Sequence, residues 1–165
     1  YLAKCLESCI NQNIQKEEYE IIVVIDGSPD NSYSIALDYQ KRFNNIIIIE
    51  KTNGGLSDAR NFGLERAKGE FVWFIDSDDI ISDNAVEIMV NNLINTGSDF
   101  VVGCYRRINS SGAKKAGPWI QEVHQENKNF LKIGDYPNIL VNATAWSKVI
   151  NYNFLKNNNL FHAYN

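Results

Sequence analysis

Two patterns of hydrophobic and polar positions alternate along the first two thirds of the chain. Short runs of β-branched and aromatic residues are typical of buried strands in a parallel sheet. Between them, apolar residues three or four positions apart predict amphipathic helices. The predicted strands cover residues 20–25, 46–49, 70–75 and 99–104, and the predicted helices cover about residues 1–12, 32–43, 57–69 and 83–97. This alternation predicts an α/β fold with a doubly wound, mostly parallel sheet.

The remaining third of the chain is less regular. Ser110-Ser111-Gly112 predicts a hairpin turn after the fourth strand. Candidate helices cover residues 127–133 and 138–150. The chain opens in a helix, whereas a parallel sheet normally begins with a strand. We therefore expect a fragment of a longer protein, with the first strand missing.

Length and composition restrict the functional classes. The chain has 165 residues, a size that fits one domain with a sizeable core. Its net charge of −4 argues against nucleic-acid binding, which needs a basic face. No apolar run approaches the roughly 18 residues of a membrane-spanning helix, and three cysteines do not indicate a disulfide framework. We expect a protein of a reducing compartment, with no membrane span in this chain and no nucleic-acid partner.

Polar loops follow three of the predicted strands. Asp26 follows the first, Asn53-Gly54-Gly55 follows the second, and the carboxylates of Asp76, Asp78 and Asp79 follow the third. In open α/β sheets, ligands bind at the carboxyl ends of the strands, where such loops meet. Neighbouring carboxylates repel one another, and Mg²⁺ is commonly held by one or two carboxylates together with substrate phosphates. The pattern predicts a metal-bridged phosphate site, and the alternative is a solvated acidic turn.

Arg60 and the paired glycines are further candidates. Arg60 lies in the first turns of the third predicted helix, where the helix dipole favours negative charge. We expect it to serve a partner such as a phosphate or a base, and the alternative is a surface arginine. Gly54 and Gly55 permit a ligand to approach the backbone closely, and the alternative is a plain turn.

Together these stretches resemble the family 2 glycosyltransferases. The resemblance rests on residues 24–30 (VIDGSPD), 53–63 (NGGLSDARNFG) and 69–79 (GEFVWFIDSDD), which occur in this order. Trp146-Ser147-Lys148 also resembles a tryptophan-x-lysine element of many bacterial members. The resemblance implies a glycosyltransferase A fold. It also implies inverting transfer of a sugar from a nucleotide-diphosphate sugar to an acceptor hydroxyl.

The resemblance implies roles for individual residues. Asp26 matches an aspartate that contacts the base. Asp76 and Asp78 match a DxD motif, in which the first carboxylate reaches the ribose and the waters of the metal and the second binds Mn²⁺ or Mg²⁺. Asp79 matches a neighbour of the metal rather than a ligand. The full predicted set is nucleotide-binding Asp26, Gly27, Ser28, Asn53, Gly55, Arg60 and Asp76, and metal-binding Asp76 and Asp78.

The same resemblance implies an organisation and a set of partners. Residues 1–165 are expected to form a single domain fragment, in which residues 1–109 bind the nucleotide sugar and residues 110–165 begin the acceptor-binding half. The acceptor is expected to be a saccharide or a lipid-linked molecule, in the synthesis of a surface polysaccharide or glycoconjugate. We expect a cytoplasmic protein, with peripheral attachment at the inner face of the membrane and a homodimer as options. The general base is expected near or beyond the end of this chain, so no catalytic residue is assigned.

Other functions stay open. A non-catalytic domain would keep the nucleotide-sugar pocket and lack the general base. An Asp-nucleophile phosphotransferase would use Asp76, but Ile80 stands where that class has threonine. A calcium-binding EF-hand loop would need glycine at its sixth position, where Ile81 stands.

Overall fold

The computed structural model describes residues 1–109, 112–115, 131–135 and 144–160. Up to residue 102 helices and strands alternate, as the apolar pattern predicts. The helices are α1 (Leu2–Ile10), α2 (Ser32–Gln40), α3 (Gly55–Leu64), α4 (Ala85–Thr96) and α5 (Tyr152–Asn157), with a 3₁₀ turn at Lys16–Glu18. The strands are β1 (Ile21–Asp26), β2 (Ile46–Lys51), β3 (Phe71–Trp73), β4 (Phe100–Val102), β5 (Arg106–Asn109), β6 (Gly112–Lys115) and β7 (Lys148–Asn151).

The first two strands form a parallel pair with matched ends. Asp26 lies opposite Lys51 at the carboxyl end of this pair. Because successive side chains of a strand point to opposite faces, β1 can bury both of its faces. On one face, Val23 and Ile25 pack in a buried cluster with Leu6, Ile10, Ala36, Tyr39 and Ile46. On the other face Val24 packs against α3, so closely that a Cβ on Gly63 would lie 3.2 Å from Val24 Cγ2.

A second group of strands contains an antiparallel member. β7 lies between β3 and β4 and is antiparallel to both. Val149 of β7 lies opposite Trp73, and Lys148 lies opposite Val102. The cluster that α4 buries against this sheet contains Met89, Leu93 and Val149. Because β7 runs in reverse, the residues just before it lie at the carboxyl ends of β3 and β4.

The predicted α/β class with a parallel sheet is confirmed, but some helix boundaries differ. The third helix covers Gly55–Leu64 rather than residues 57–69, so Gly69 does not end it. Gly97 does end α4, with a φ of 61° in the left-handed region. Glycine suits this position because the left-handed conformation carries no steric cost without a Cβ.

β7 replaces part of a predicted helix. Residues 148–150 of the candidate helix 138–150 form β7, so that prediction is wrong at this end. Val149 and Ile150 are β-branched, and their backbones complete the hydrogen bonding between β3 and β4. Residues 131–133 of the candidate helix 127–133 are not helical. Residues 127–130 and 138–143 lie outside the described part of the chain.

The predicted hairpin is confirmed in the strands that flank it. β5 and β6 pair antiparallel, with Asn109 opposite Gly112. The two turn residues themselves, 110 and 111, lie outside the described ranges. None of the helices in the described part of the chain is long and apolar enough to cross a bilayer.

Candidate functional site

Two opposite charges meet where β1 and β2 end. Lys51 Nζ lies 2.7 Å from Asp26 Oδ1, and the two side chains are 10% and 17% exposed. The same ammonium contacts the carboxylate of Asp58 on α3 and donates a hydrogen bond to the carbonyl of Thr52. The strand register therefore places an ion network at the carboxyl edge, shielded from most of the solvent.

The Asp26 carboxylate also holds the loop that follows β2. The Gly54 amide donates to Oδ1 and the Gly55 amide donates to Oδ2, each at 2.9 Å. The side-chain amide of Asn53 donates to the Asp26 carbonyl at 3.1 Å. The hydrogen bond from Lys51 and, less strongly, the two glycine amides hold the pKa of Asp26 below its usual range. Asp26 is therefore an ionised acceptor that orders residues 53–55.

Two glycines are required by this packing. Gly27 has a φ of +63°, and a Cβ there would lie 2.8 Å from the Asn53 amide nitrogen. A Cβ on Gly54 would collide with the Asp58 carboxylate and would lie 2.8 Å from Lys51 Nζ. The loops after β1 and β2 therefore touch through backbone. Ser28 is exposed in the first of these loops.

Arg60 links α3 to the acidic turn after β3. Arg60 Nη2 lies 2.7 Å from Asp76 Oδ1, with the side chains 17% and 29% exposed. The partner of Arg60 in the structure is therefore a carboxylate. The Asp76 carbonyl accepts a hydrogen bond from the Asp79 amide at 2.9 Å, which closes the turn. Cys5 of α1 donates a 3.6 Å thiol contact to the same carbonyl, so α1 supports this turn.

The acidic turn has three carboxylates, of which one, Asp76, has an ion pair within the described part of the chain. Asp78 is exposed, whereas Asp79 is half-buried. Burial and then the charges of Asp76 and Asp78 raise the pKa of Asp79. Among the described residues, no group of three or more acidic, histidine or cysteine side chains is arranged to hold a metal ion. The donor set of Asp76 and Asp78 nevertheless fits a Mg²⁺ or Mn²⁺ ion whose remaining ligands are phosphate and water oxygens.

The segment before β7 borders the same edge. Trp73 Nε1 donates to the Trp146 carbonyl at 2.7 Å, and Tyr105 meets the Trp146 ring edge-on at 4.6 Å between centroids. Lys148 donates to the Thr144 carbonyl, and burial lowers the pKa of Lys148. Trp146-Ser147-Lys148 is thus packed against the carboxyl end of β3.

The structure groups the predicted residues into two sets. One set contains Asp26, Gly27, Asn53 and Gly55, and the other contains Arg60, Asp76 and Asp78. Sequence reasoning missed Lys51 and Asp58 as members of the first set. A usable signal was present, since Asp26 follows the first apolar run directly, Lys51 lies two positions after the second, and a matched register pairs these opposite charges.

A family model identifies the class of protein. The model described as "Glycosyl transferase family 2" matches residues 1–152, and the chain belongs to this family. The α/β fold with a parallel sheet is consistent with this class, as the sequence motifs implied.

The relatives that the chain matches include named bacterial glycosyltransferases. The chain is 39% identical over 117 residues to a poly(ribitol-phosphate) beta-glucosyltransferase of Bacillus spizizenii, covering 70% of this chain and 18% of the relative. It is 27% identical over 162 residues to the poly(ribitol-phosphate) beta-N-acetylglucosaminyltransferase TarP of Staphylococcus aureus, covering 96% of this chain and 47% of the relative.

A solved structure shows the same fold. The crystal structure of S. aureus TarS residues 1–349 in complex with UDP-GlcNAc superposes with a TM-score of 0.86 at 27% identity. The match covers 98% of this chain and 44% of the TarS chain. The chain thus spans less than half the length of each of these relatives.

Proposed function

We propose that this chain is the nucleotide-sugar-binding part of an inverting, metal-dependent glycosyltransferase, which moves a sugar from a nucleotide-diphosphate sugar to an acceptor hydroxyl. One observation carries the proposal. The Asp26 carboxylate is fixed at the carboxyl edge by Lys51, Gly54 and Gly55, and it still has room for one more hydrogen bond. Family membership and the TarS complex with UDP-GlcNAc support it.

The remaining acceptor position of Asp26 suits a nucleobase. Each carboxylate oxygen accepts about two hydrogen bonds. Oδ1 accepts from Lys51 and Gly54, whereas Oδ2 accepts only from Gly55 among the contacts at this edge. A uracil or guanine ring N–H would take the open position. Gly27, Ser28, Asn53 and Gly55 would form the surrounding pocket.

The second set of residues would serve the ribose and the diphosphate. Arg60 holds Asp76 at 2.7 Å, which fixes that carboxylate beside the acidic turn. Asp78 is exposed and would bind the cation, with Asp76 reaching its waters and the ribose. A bound divalent cation would stabilise the negative charge that develops on the departing nucleoside diphosphate. Asp79 would remain a neighbour of the site.

The acceptor is assigned to the remaining residues of the chain. We assign residues 1–109 to the donor and residues 110–165 to the beginning of the acceptor-binding half, with the general base near or beyond the end of this chain. Two relatives are named for poly(ribitol-phosphate), which supports an acceptor of a surface polysaccharide. The reaction would take place in the cytoplasm, at the inner face of the membrane where the acceptor is lipid-linked.

A thermal-shift panel tests the proposed function. The 165-residue chain is melted with Mn²⁺ and each of UDP, GDP, CDP, ADP and their sugar derivatives, because a ligand that binds only the folded state raises Tm. We expect stabilisation by a uridine or a guanosine diphosphate. No shift with any member of the panel contradicts the proposal. Binding without sugar transfer by the full-length protein would instead identify a non-catalytic nucleotide-sugar-binding domain.

A further inference from the structure

Lys51 is the least exposed charged side chain in the ion pairs of this edge. It is 10% exposed, compared with 17% for Asp26 and 27% for Asp58. An ammonium group has three donors. The carboxylates of Asp26 and Asp58 and the carbonyl of Thr52 provide three acceptors for them. Lys51 is therefore held in place from β1, β2 and α3 together.

The loop after β2 is built over this ammonium. A Cβ on Gly54 would collide with the Asp58 carboxylate and would lie 2.8 Å from Lys51 Nζ. The Gly54 and Gly55 amides reach the same Asp26 carboxylate that Lys51 contacts. The position of the ammonium and the conformation of residues 53–55 consequently depend on each other.

We propose that Lys51 is a positioning residue of the nucleotide site, which holds the Asp26 carboxylate and the loop of residues 53–55 in their binding arrangement. The inference rests on the proposed function, since it takes Asp26 as the acceptor for the base. Lys51 and Gly54 together fill Oδ1, and this leaves the open acceptor position on Oδ2. An ionised carboxylate offers no donor, so it favours uracil or guanine, which carry a ring N–H, over cytosine or adenine, which carry an acceptor there.

The charges around Asp26 predict a pH dependence of nucleotide binding that tests the role of Lys51. Lys51 acts on Asp26 from β2, and Asp58 faces the same ammonium from α3. The Lys51 hydrogen bond is the largest of the effects that lower the pKa of Asp26. Without the ammonium, Asp26 takes up its proton at a higher pH and loses its acceptor role there. Nucleotide affinity should fall at low pH as Asp26 takes up its proton, and we call this fall the acid limb. A lysine that only supported the fold would not move the acid limb.

The experiment compares Lys51→Met and Lys51→Gln with the wild-type chain. Calorimetry measures binding of UDP and CDP with Mn²⁺ from acidic to neutral pH. We expect both variants to bind UDP about tenfold more weakly, because a displaced Asp26 would no longer make its charge-assisted hydrogen bond with the base. The preference for UDP over CDP should narrow, and the acid limb should move to higher pH. Lys51→Arg should return the acid limb towards its wild-type position.

Lys41→Met is the matched control, because Lys41 is an exposed lysine that pairs only at the surface with Asp38. It should bind UDP as the wild-type chain does. Neutral Lys51 variants that keep the wild-type affinity and acid limb would overturn the inference while leaving the proposed function intact. Failure of the wild-type chain to bind any nucleoside diphosphate would refute the proposed function itself. If both neutral variants failed to fold while Lys41→Met folded, Lys51 would be a residue of the fold, and the proposal would be wrong.

Discussion

The two sets of site residues handle negative charge in opposite ways. At the ends of β1 and β2, Asp26 and Asp58 share the ammonium of Lys51. After β3, the guanidinium of Arg60 pairs with Asp76, and Asp78 and Asp79 add two further carboxylates to the turn. The pKa values of two of these carboxyl groups are shifted in opposite directions. The pKa of Asp26 is lowered, chiefly by Lys51, whereas the pKa of Asp79 is raised, chiefly by burial and then by its acidic neighbours.

This difference indicates which part of the site is complete in the protein alone. The Asp26 set has its hydrogen bonds and its counter-charge within the protein, so under the proposed function it would be preorganised for a base that donates a hydrogen bond. The acidic turn has three carboxylates and one ion pair among the described residues, so under the proposed function it would take a ligand that brings positive charge. Substitutions and metal removal should therefore affect the two sets differently.

The largest effect is expected at Asp78. Asp78→Asn in the full-length protein should lower sugar transfer by at least about a hundredfold, because the charge that holds the cation at the developing diphosphate is lost. Thermal melting without metal should show an intact fold of equal or higher stability, since one of three repelling carboxylates has been removed. Product formation and melting are measured on the same preparation.

Two outcomes would contradict this assignment. Near-normal turnover would show that Asp78 is not the metal ligand. A variant that did not fold would show that Asp78 is a structural residue of the turn, and the solvated acidic turn would then be the better interpretation. Asp38→Asn is a suitable control, because Asp38 is 74% exposed on α2 and belongs to neither set of candidate residues.

Metal removal should have the next largest effect. We expect EDTA to weaken binding of UDP or GDP to the 165-residue chain about thirtyfold, because the diphosphate would then face the carboxylates without a cation between them. Calorimetry with Mn²⁺, and then with EDTA, measures the change. Uridine, which has no phosphate, should bind equally in both buffers. Unchanged UDP affinity in EDTA would rule out a metal bridge at Asp76 and Asp78.

A substitution in the Asp26 set should have a smaller effect. Asp26→Ala should weaken UDP binding about tenfold, because the base loses an ionised acceptor and the amides of Gly54 and Gly55 lose theirs. Asp38→Ala is the control, since Asp38 is 74% exposed and pairs with Lys41 on α2. Calorimetry with folded fractions checked by melting measures both variants. Equal losses at the two positions would mean that Asp26 has no special place in the site.

The sequence predicted the fold best where one local pattern decided the structure. β1 and β2 are continuous apolar runs, and both were predicted within about a residue or two of their observed ends. β7 was missed because its four residues, Lys148–Asn151, are too few to show a clear period. Its strand conformation comes from pairing with β3 and β4, which lie far away in the chain. Tertiary pairing of this kind overrides weak local preference.

The same limit applies to the site. The motifs indicated which loops would meet, and the structure brings together Asp26, Asn53 and Gly55. They did not indicate that Arg60 would contact Asp76, because that pair joins a helix to a turn across the edge of the sheet. Lys51 was missed as a member of the Asp26 set because its contact with Asp26 follows from the register of β1 and β2 and not from its neighbours in sequence.

The smallest expected effect tests the contact between the two loops. Gly27 and Gly97 have nearly the same φ, +63° and +61°, so alanine carries a similar conformational cost of about 1 kcal/mol at either position. A Cβ on Gly27 would lie 2.8 Å from the Asn53 amide nitrogen, whereas a Cβ on Gly97 would meet nothing within 4 Å. Gly27→Ala should therefore displace the loop of residues 53–55 and weaken UDP binding about threefold, on the order of 0.7 kcal/mol. Gly97→Ala should lower Tm by no more than Gly27→Ala does, and it should leave UDP affinity unchanged. Equal UDP affinity in the two variants would show that the backbone contact between Gly27 and Asn53 does not shape the nucleotide site.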